Sequence, residues 1–289
     1  MVMLEINEEI IRLVNQAIEE DLAGGVDVTS VATIPEGMES VAKFVAKAEG
    51  VIAGIEIAEL VMKRCGVAGF EALRSDGDSL KRGDLIATAS GDTRSILLAE
   101  RTALNFMTHL SGIATLTSRW VSAVAGTKAK IRDTRKTTPG LRTLEKYAVR
   151  LGGGVNHRFT LSEQALIKDN HIAASGSLTN AFASIRREFP DIEVEVEVDN
   201  LDQLREALGC GATLIMLDNM DLEMTIQAVK ITAGQARLES SGGLSLENAR
   251  AYAMSGVDFL AVGALTHSAP ALDISLDISD SNSPTKGSK

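Results

Sequence analysis

Five short apolar runs in the second half of this 289-residue chain each stop on a polar or glycine residue, with helical segments between them. Ala165-Leu166-Ile167 stops at Lys168, and the run from Glu193 to Val198 carries Glu195 and Glu197. Leu214 to Leu217 stops at Asp218, Arg237-Leu238-Glu239 leads into Ser240-Ser241-Gly242-Gly243, and Phe259 to Val262 stops at Gly263. The marked positions 168, 197, 218, 241 and 263 lie 29, 21, 23 and 22 residues apart. The intervening segments predict helices over 177–189 before Pro190, 200–208 before Gly209, 221–233 before Gly234 and 245–255 before Gly256. Repeated βα units of this length build a parallel sheet covered by helices. An open doubly wound sheet gathers its polar residues at one switch point. Here nearly every strand ends in a candidate functional residue, which is how a barrel mouth is furnished. The expectation is an α/β protein with a βα barrel, incomplete because about 160 residues are too few for eight full units.

The first half reads differently. Ile6, Ile10, Leu13, Val14, Ala17, Ile18 and Leu22 recur at helical spacing and predict an amphipathic helix over 6–22. A strand over 41–48 and a helix over 55–65, closed by Gly66, follow. Tight turns at Asp76-Gly77-Asp78, Gly83-Asp84 and Gly91-Asp92 separate short β segments that read as scaffold. Next come a long helix over 93–110 and a second over 115–124. The stretch 279–289, rich in Ser, Asp and Lys, reads as a disordered tail.

The formal net charge is −10, which argues against a general nucleic-acid or membrane-surface binder, since both need a broad positive field. The charge is unevenly spread. Lys128 to Arg158 holds nine Lys or Arg against two acids, a net of +7, so the remainder carries −17. A solvated basic face is the plain reading of such a run. Pro139-Gly140 and Gly152-Gly153-Gly154 within it point instead to special backbone geometry. Cys65 and Cys210 have no His or Cys at metal-ligand spacing and read as free thiols of a reducing compartment. With no secretory signal and no apolar stretch long enough for a membrane helix, a cytoplasmic location is expected.

Several groups could carry chemistry. Glu239-Ser240-Ser241-Gly242-Gly243 follows a strand and precedes a helix, so its backbone N–H groups could hold an anion, and Val262-Gly263-Ala264 repeats the arrangement one unit later. Phosphate sites on the last two βα loops of a barrel are recurrent. Glu195 and Glu197 alternate along one strand and so share a face; each could be a ligand or half of a buried ion pair. Asp218 could be a ligand or a helix N-cap. Two such carboxylates beside a phosphate site could hold Mg²⁺ through water and bind ribose hydroxyls. Lys168 could form a Schiff base, act as an acid or neutralise an anion. The segment Asp133-Thr134-Arg135-Lys136-Thr137-Thr138 joins two cations to three hydroxyls, and arginine forks suit carboxylates and phosphates. Asn156-His157-Arg158 adds a second cluster, while His109 and His171 are structural by default.

The segments AERTALNFMTHLSGIATLT, KAKIRDTRKTTPGLRTLEKYAVRLGGGVNHRF, ALIKDNHI, VEVEVDNLDQL, IMLDNM, ESSGGL and DFLAVGALTHS together resemble the quinolinate phosphoribosyltransferase family, from about residue 20 to 278 and in the family's order. The resemblance implies a reaction in which quinolinate and phosphoribosyl pyrophosphate give nicotinate mononucleotide, pyrophosphate and CO₂, with Mg²⁺. It implies an N-terminal α/β sandwich domain, residues 1–111, completed by 271–280. A barrel of about seven strands would occupy 112–270, with 281–289 as the tail. It also implies a homodimer, or a higher assembly, in which one subunit's N-terminal domain covers the other's barrel mouth.

Carried over motif by motif, Arg135, His157 and Arg158 would grip the two carboxylates of quinolinate, helped by Thr134, Lys136 and Lys168. Arg101 would reach the partner subunit's site. Glu197 and Asp218 would face the ribose and the Mg²⁺-pyrophosphate, and with Lys136 and Lys168 would be the catalytic set. Ser241, Gly242, Gly243, Val262, Gly263 and Ala264 would hold the 5′-phosphate, with His267 nearby. Lys128, Lys130, Arg142, Lys146 and Arg150 would remain surface or dimer charges. Two other readings compete: a barrel aldolase using Lys168 as Schiff-base nucleophile, and a non-catalytic phosphometabolite-binding module.

Overall fold

A computed structural model describes residues 4–280; of the stretch 279–289 read as a disordered tail, 279 and 280 instead end a paired strand, and 281–289 lies outside the described residues. The chain divides into two compact units, one running to Leu116 and resuming at Ala269, the other spanning Thr117–Ser268.

The first unit opens with α1 (Glu8–Leu22), whose N-terminus is capped by the Asn7 side chain accepting from the Ile10 N–H. α1 buries Ile10 and Val14. α2 (Val28–Thr33) is capped by Asp27 in the same way. Then come β1 (Glu39–Ala46), β2 (Gly50–Val51), α3 (Ile55–Arg64), β3 (Gly69–Ala72), β4 (Ser79–Leu80), β5 (Leu85–Asp92) and α4 (Thr93–Ala123). In β1 the buried residues alternate as Ser40, Ala42, Phe44 and Ala46, the period-two pattern of a sheet with one covered face.

The second unit runs through β6 (Lys130–Arg132), α5 (Arg142–Leu151), β7 (Gln164–Ile167), α6 (Asp169–Ser175) and α7 (Leu178–Glu188). It continues through β8 (Glu193–Val198), α8 (Leu201–Gly209), β9 (Leu214–Asp218), α9 (Leu222–Thr232), β10 (Arg237–Ser241), α10 (Leu246–Met254), β11 (Phe259–Ala261) and α11 (Ala264–His267). Its strands form one parallel sheet in the order β6-β11-β10-β9-β8-β7. Val155 adds an isolated parallel bridge to Arg132, where a seventh strand would begin. This is the incomplete barrel that the strand rhythm predicts. β8 and β9 are buried almost throughout, Val194 to Val196 and Leu214 to Leu217, as strands covered on both faces must be.

The last strand, β12 (Ile274–Asp280), returns to the first unit and pairs antiparallel with β1, giving a four-stranded sheet ordered β12-β1-β5-β3. β2 and β4 pair separately. No helix among the described residues is long and apolar enough to cross a membrane. Cys65 and Cys210 are both free.

One expectation is overturned. The two helices expected over 93–110 and 115–124 are a single 31-residue helix, α4. Ser111-Gly112 looks like a break because glycine weakens helices. Its actual role is contact: a Cβ at Gly112 would stand 2.2 Å from the Pro270 carbonyl oxygen and 3.0 Å from Ala271 Cα. The returning chain is held there by the Leu272 N–H donating to Thr108 O at 2.9 Å. The Ser111 hydroxyl, meanwhile, accepts from the Ala53 N–H at 3.0 Å. Gly112→Ala should therefore destabilise by about 1–3 kcal/mol through overpacking, although the same change in an exposed helix gains about 1 kcal/mol. Chemical denaturation gives the sign directly.

Candidate active site

The C-terminal ends of β7 to β11, with the loops after β6 and α5, surround a cavity of about 470 Å³. Arg135, Lys136, His157, Arg158 and Lys168 line it on one side, joined by Thr134. Glu197, Asp218, Ser241 and Gly242 line the other. Leu166, Met216 and Ala261 make part of the wall apolar. Asn219 and Glu239 also face the cavity, and neither is among the residues expected there.

The basic side is organised by an acid. Asp133, fully buried after β6, accepts from Lys146 Nζ at 2.5 Å, from Asn156 Nδ2 at 2.6 Å and from the His157 N–H at 2.7 Å. Lys146 Nζ also donates to the His157 carbonyl at 2.9 Å. Lys146 is therefore no surface charge: its side chain has 0% exposure, and burial lowers its pKa against the opposing pull of Asp133. α5 is buried without interruption from Leu144 to Val149, so its charge pattern imitates a solvated face that does not exist. Removing one partner of such a pair costs about 3–5 kcal/mol, because the other charge stays buried alone.

His157 follows from that hub. Its Nδ1 accepts from the Arg158 N–H at 2.9 Å, so the proton sits on Nε2, which donates to Glu195 Oε2 at 2.6 Å. Burial pushes the imidazole pKa down to about 4, leaving the ring neutral. Glu195 and Glu239 lie deeper, on the barrel axis side of β8 and β10, and burial pushes each up to about 7. Arg132 Nη1 pairs with Glu239 Oε2 at 2.7 Å, with its guanidinium 4.7 Å from the Phe259 ring centre. His157, Glu195 and Glu239 form a group compact enough to hold a metal ion, but Arg132 already supplies the positive charge there. Of the alternating pair, Glu195 thus turns out to be part of this buried network, and Glu197 reaches the cavity.

Arg158 Nη1 donates to the Gln164 carbonyl at 2.5 Å. The Nε atoms of Arg135 and Arg158 are buried and find no partner among the described residues. Burial first, and the neighbouring Arg135 charge second, lower the Arg158 pKa.

Across the cavity, Lys168 Nζ meets Glu197 Oε2 at 2.6 Å, and His171 Nδ1 accepts from the Lys168 N–H at 3.0 Å, a structural role. Asp218 Oδ2 accepts from Asn219 Nδ2 at 2.7 Å. Gly242 and Gly243 have φ of +82° and +62°, the left-handed backbone that glycine adopts without strain. They lead into α10, whose N-terminus is closed by reciprocal Ser245 and Asn248 hydrogen bonds. Gly263 packs beside the cavity wall, since a Cβ there would stand 3.1 Å from Lys136 Cδ and 3.2 Å from His267 Nε2. Gly243, Val262, Gly263, Ala264 and His267 do not themselves line the cavity, and Val262 is buried. Arg101 is exposed on α4 and belongs to the first unit.

The buried carboxylates have a consequence for pH. Glu239, raised from 4.5 to about 7, keeps a proton in the fold that the unfolded chain releases. Its contribution is present below about pH 4.5 and is lost as pH rises through about 7. Glu239→Gln removes this titration while its amide oxygen can still accept from Arg132. Its thermal midpoint relative to the natural chain should therefore rise between pH 5 and pH 8. Calorimetric melts across that range test this, and a pH-independent difference would refute it.

Two family profiles match. "Quinolinate phosphoribosyl transferase, N-terminal domain" covers residues 27–111, and "Quinolinate phosphoribosyl transferase, C-terminal domain" covers 113–277. A nicotinate-nucleotide pyrophosphorylase [carboxylating] of Mycobacterium leprae is 52% identical over 271 residues, 92% of this chain and 95% of that one. A probable nicotinate-nucleotide pyrophosphorylase [carboxylating] of Bacillus subtilis is 42% identical, over 94% of each chain. The solved nicotinate-nucleotide pyrophosphorylase from Francisella tularensis superposes with a TM-score of 0.92 at 38% identity, covering 96% of this chain and 99% of that one. The cavity's cation clamp, paired carboxylates and glycine turns therefore sit on a chain that belongs to the quinolinate phosphoribosyltransferase family.

Proposed function

We propose that the cavity transfers the phosphoribosyl group of phosphoribosyl pyrophosphate to the ring nitrogen of quinolinate and removes the adjacent carboxylate. The products are nicotinate mononucleotide, pyrophosphate and CO₂. The observation that carries this reading is the Arg135–Arg158 pair. Two guanidiniums share one wall, the Arg135 charge adds to burial in lowering the Arg158 pKa, and each leaves a buried Nε without a partner among the described residues. A rigid dicarboxylate supplies the counter-charge and the acceptors that this wall lacks.

The roles follow from position. Arg135 and Arg158 grip the carboxylates, with His157 held as a neutral ring beside them and Thr134 and Lys136 at the rim. Glu197 and Asp218 each keep one carboxylate oxygen without a described protein partner and face the ribose, where oxocarbenium character develops at C1. The Ser241–Gly242–Gly243 turn offers backbone N–H groups to the 5′-phosphate, and Gly263, Ala264 and His267 complete its surroundings. The ring nitrogen's lone pair forms the bond to C1 as the C1–oxygen bond to pyrophosphate breaks. The pyridinium then accepts the electron pair of the breaking carbon–carboxylate bond, and a proton closes that carbon. Leu166, Met216 and Ala261 help keep water from the carboxylate that is lost, which favours neutral CO₂.

The free oxygens of Glu197 and Asp218 are hard donors that suit Mg²⁺ bound through water. When bound, the ion draws negative charge from the departing pyrophosphate. Lys168 stands in an ion pair with Glu197, not in the apolar pocket that activates a Schiff-base lysine, so the aldolase reading finds no support. The same proposal places the enzyme in the cytoplasm as a homodimer, with Arg101 serving the partner's cavity. Its exposure on α4 is what such a role requires.

The direct test is release of CO₂ and pyrophosphate from quinolinate, phosphoribosyl pyrophosphate and Mg²⁺. In that assay Arg135→Ala or Arg158→Ala should raise the quinolinate KM roughly 10- to 100-fold, the range of a lost charge-assisted contact, with far less effect on phosphoribosyl pyrophosphate. Equal losses for both substrates would refute the clamp. Mixing Arg101→Ala with Lys168→Ala chains should restore activity, to roughly a quarter of the natural level if subunits exchange at random in a two-fold dimer. No recovery would rule out shared sites.

A further inference from the structure

Among the described residues, three that are not glycine have a left-handed backbone: Ala23, Ala233 and Asn219. Ala23 and Ala233 end α1 and α9 as C-caps, a position where that conformation is routine. Asn219, with φ +53°, ends no helix. It directly follows β9, and its backbone reverses where the cavity needs the chain to turn. Such a conformation costs free energy in a residue with a Cβ and persists only where the surroundings enforce it.

The surroundings are explicit. The Asn219 N–H donates to the Ser241 carbonyl at 2.8 Å, tying the end of β9 to the end of β10. Tyr252 Oη donates to the Met220 carbonyl at 3.1 Å, so α10 pins the next residue too. The Asn219 side chain fills the space between two parts of the cavity. Its Nδ2 donates to Asp218 Oδ2 at 2.7 Å. Its Oδ1 lies so close to Gly242 that a Cβ there would stand 2.0 Å away. Gly242 is thus glycine for two reasons, its φ of +82° and this approach.

We infer that Asn219 is a positioning residue for the phosphoribosyl end of the site: its side-chain amide orients the Asp218 carboxylate, and its backbone locks that carboxylate to the Ser241–Gly242 turn. This rests on the reading of Asp218 as a ribose-facing group. With Oδ2 held by the amide, Asp218 presents Oδ1 alone to ligand, in one orientation. Because the same residue abuts Gly242, the spacing between the ribose carboxylate and the anion-binding turn is set by one rigid amide. The residue type follows from the chemistry. Asparagine tolerates the left-handed backbone better than other residues with a side chain, and its Nδ2 is a donor. Aspartate would fit the space but would place an acceptor against an acceptor.

Three variants separate the parts of this role. Asn219→Gly keeps the backbone conformation without strain and removes the amide. Asn219→Asp keeps shape and size and removes the donor. Asp218→Ala removes the group being positioned. Steady-state kinetics with each substrate varied, alongside thermal melts, are the measurements. In Asn219→Gly the KM for phosphoribosyl pyrophosphate should rise about ten-fold, the scale of one charge-assisted hydrogen bond. The quinolinate KM should stay within about two-fold, and the melting temperature should be retained because the backbone is relieved. Asn219→Asp should be worse than Asn219→Gly. If Asp218→Ala raises the phosphoribosyl pyrophosphate KM but Asn219→Gly and Asn219→Asp behave as the natural chain does, the positioning role is overturned. If Asn219→Gly impairs both substrates equally along with stability, the residue is a loop brace and the inference also fails. If Asp218→Ala itself leaves the phosphoribosyl pyrophosphate KM unchanged, the assignment of Asp218 falls first and takes the inference with it.

Discussion

Asp133 sits without solvent exposure at the end of β6, and donors from α5 and from the strand-like turn after Val155 converge on it. An ionised carboxylate in that position is tolerable only because Lys146 neutralises it and three donors satisfy it. The return is orientation. The His157 N–H and carbonyl are both taken up by the hub, which fixes where the imidazole points. That in turn fixes the Arg158 N–H against Nδ1 and places the guanidinium on the cavity wall. A second buried network, Arg132 with Glu239 and His157 with Glu195, lies below and holds the ring from the other nitrogen. The clamp is rigid because its supports are hydrogen-bonded in a medium where leaving any of them unpaired is costly.

The division of charge inside the cavity matches the two halves of the chemistry. On the proposed reading, cations gather where the dicarboxylate is held, and carboxylates gather where positive charge develops on the sugar carbon. Lys168 and Glu197 stand at the seam as an ion pair. On the same reading, this pair offers each substrate a partner of opposite sign.

The barrel was readable from sequence because each βα unit carries its own local signals: an apolar strand, a polar stop, a cap and a glycine. Asp221 and Asn200 cap α9 and α8 through their own side chains, a feature written within three residues of chain. What could not be read depends on distant partners. Gly112 looks like a helix break until Pro270 is brought beside it. Lys146 and Arg132 look like members of a solvated basic run, because nothing local separates a lysine that meets a buried aspartate from one that meets water. Glu239 looked like an ordinary strand residue before a glycine turn, and its alternation with Ser241 was the available sign that it faces the barrel interior. Asn219 gave no signal, since the role inferred for it lies in a backbone angle and a neighbouring glycine in the turn after another strand. Arg101 carries no local mark of function at all and was named only through family resemblance.

The pairing of β12 with β1 bears on how the chain comes to be folded during synthesis. β1 lies between β12 and β5 in its sheet, yet Ala46 and its partner Ile274 are separated by the whole of the second unit and much of the first. At roughly 5–20 residues per second on the ribosome, the second unit is complete before that partner emerges, and the edge of β1 waits on the order of ten seconds or more. An open edge of that length is a template for stray pairing. Lys43 at its middle is the kind of charge that discourages such contacts. The first part of the protein to be made is thus among the last to be finished.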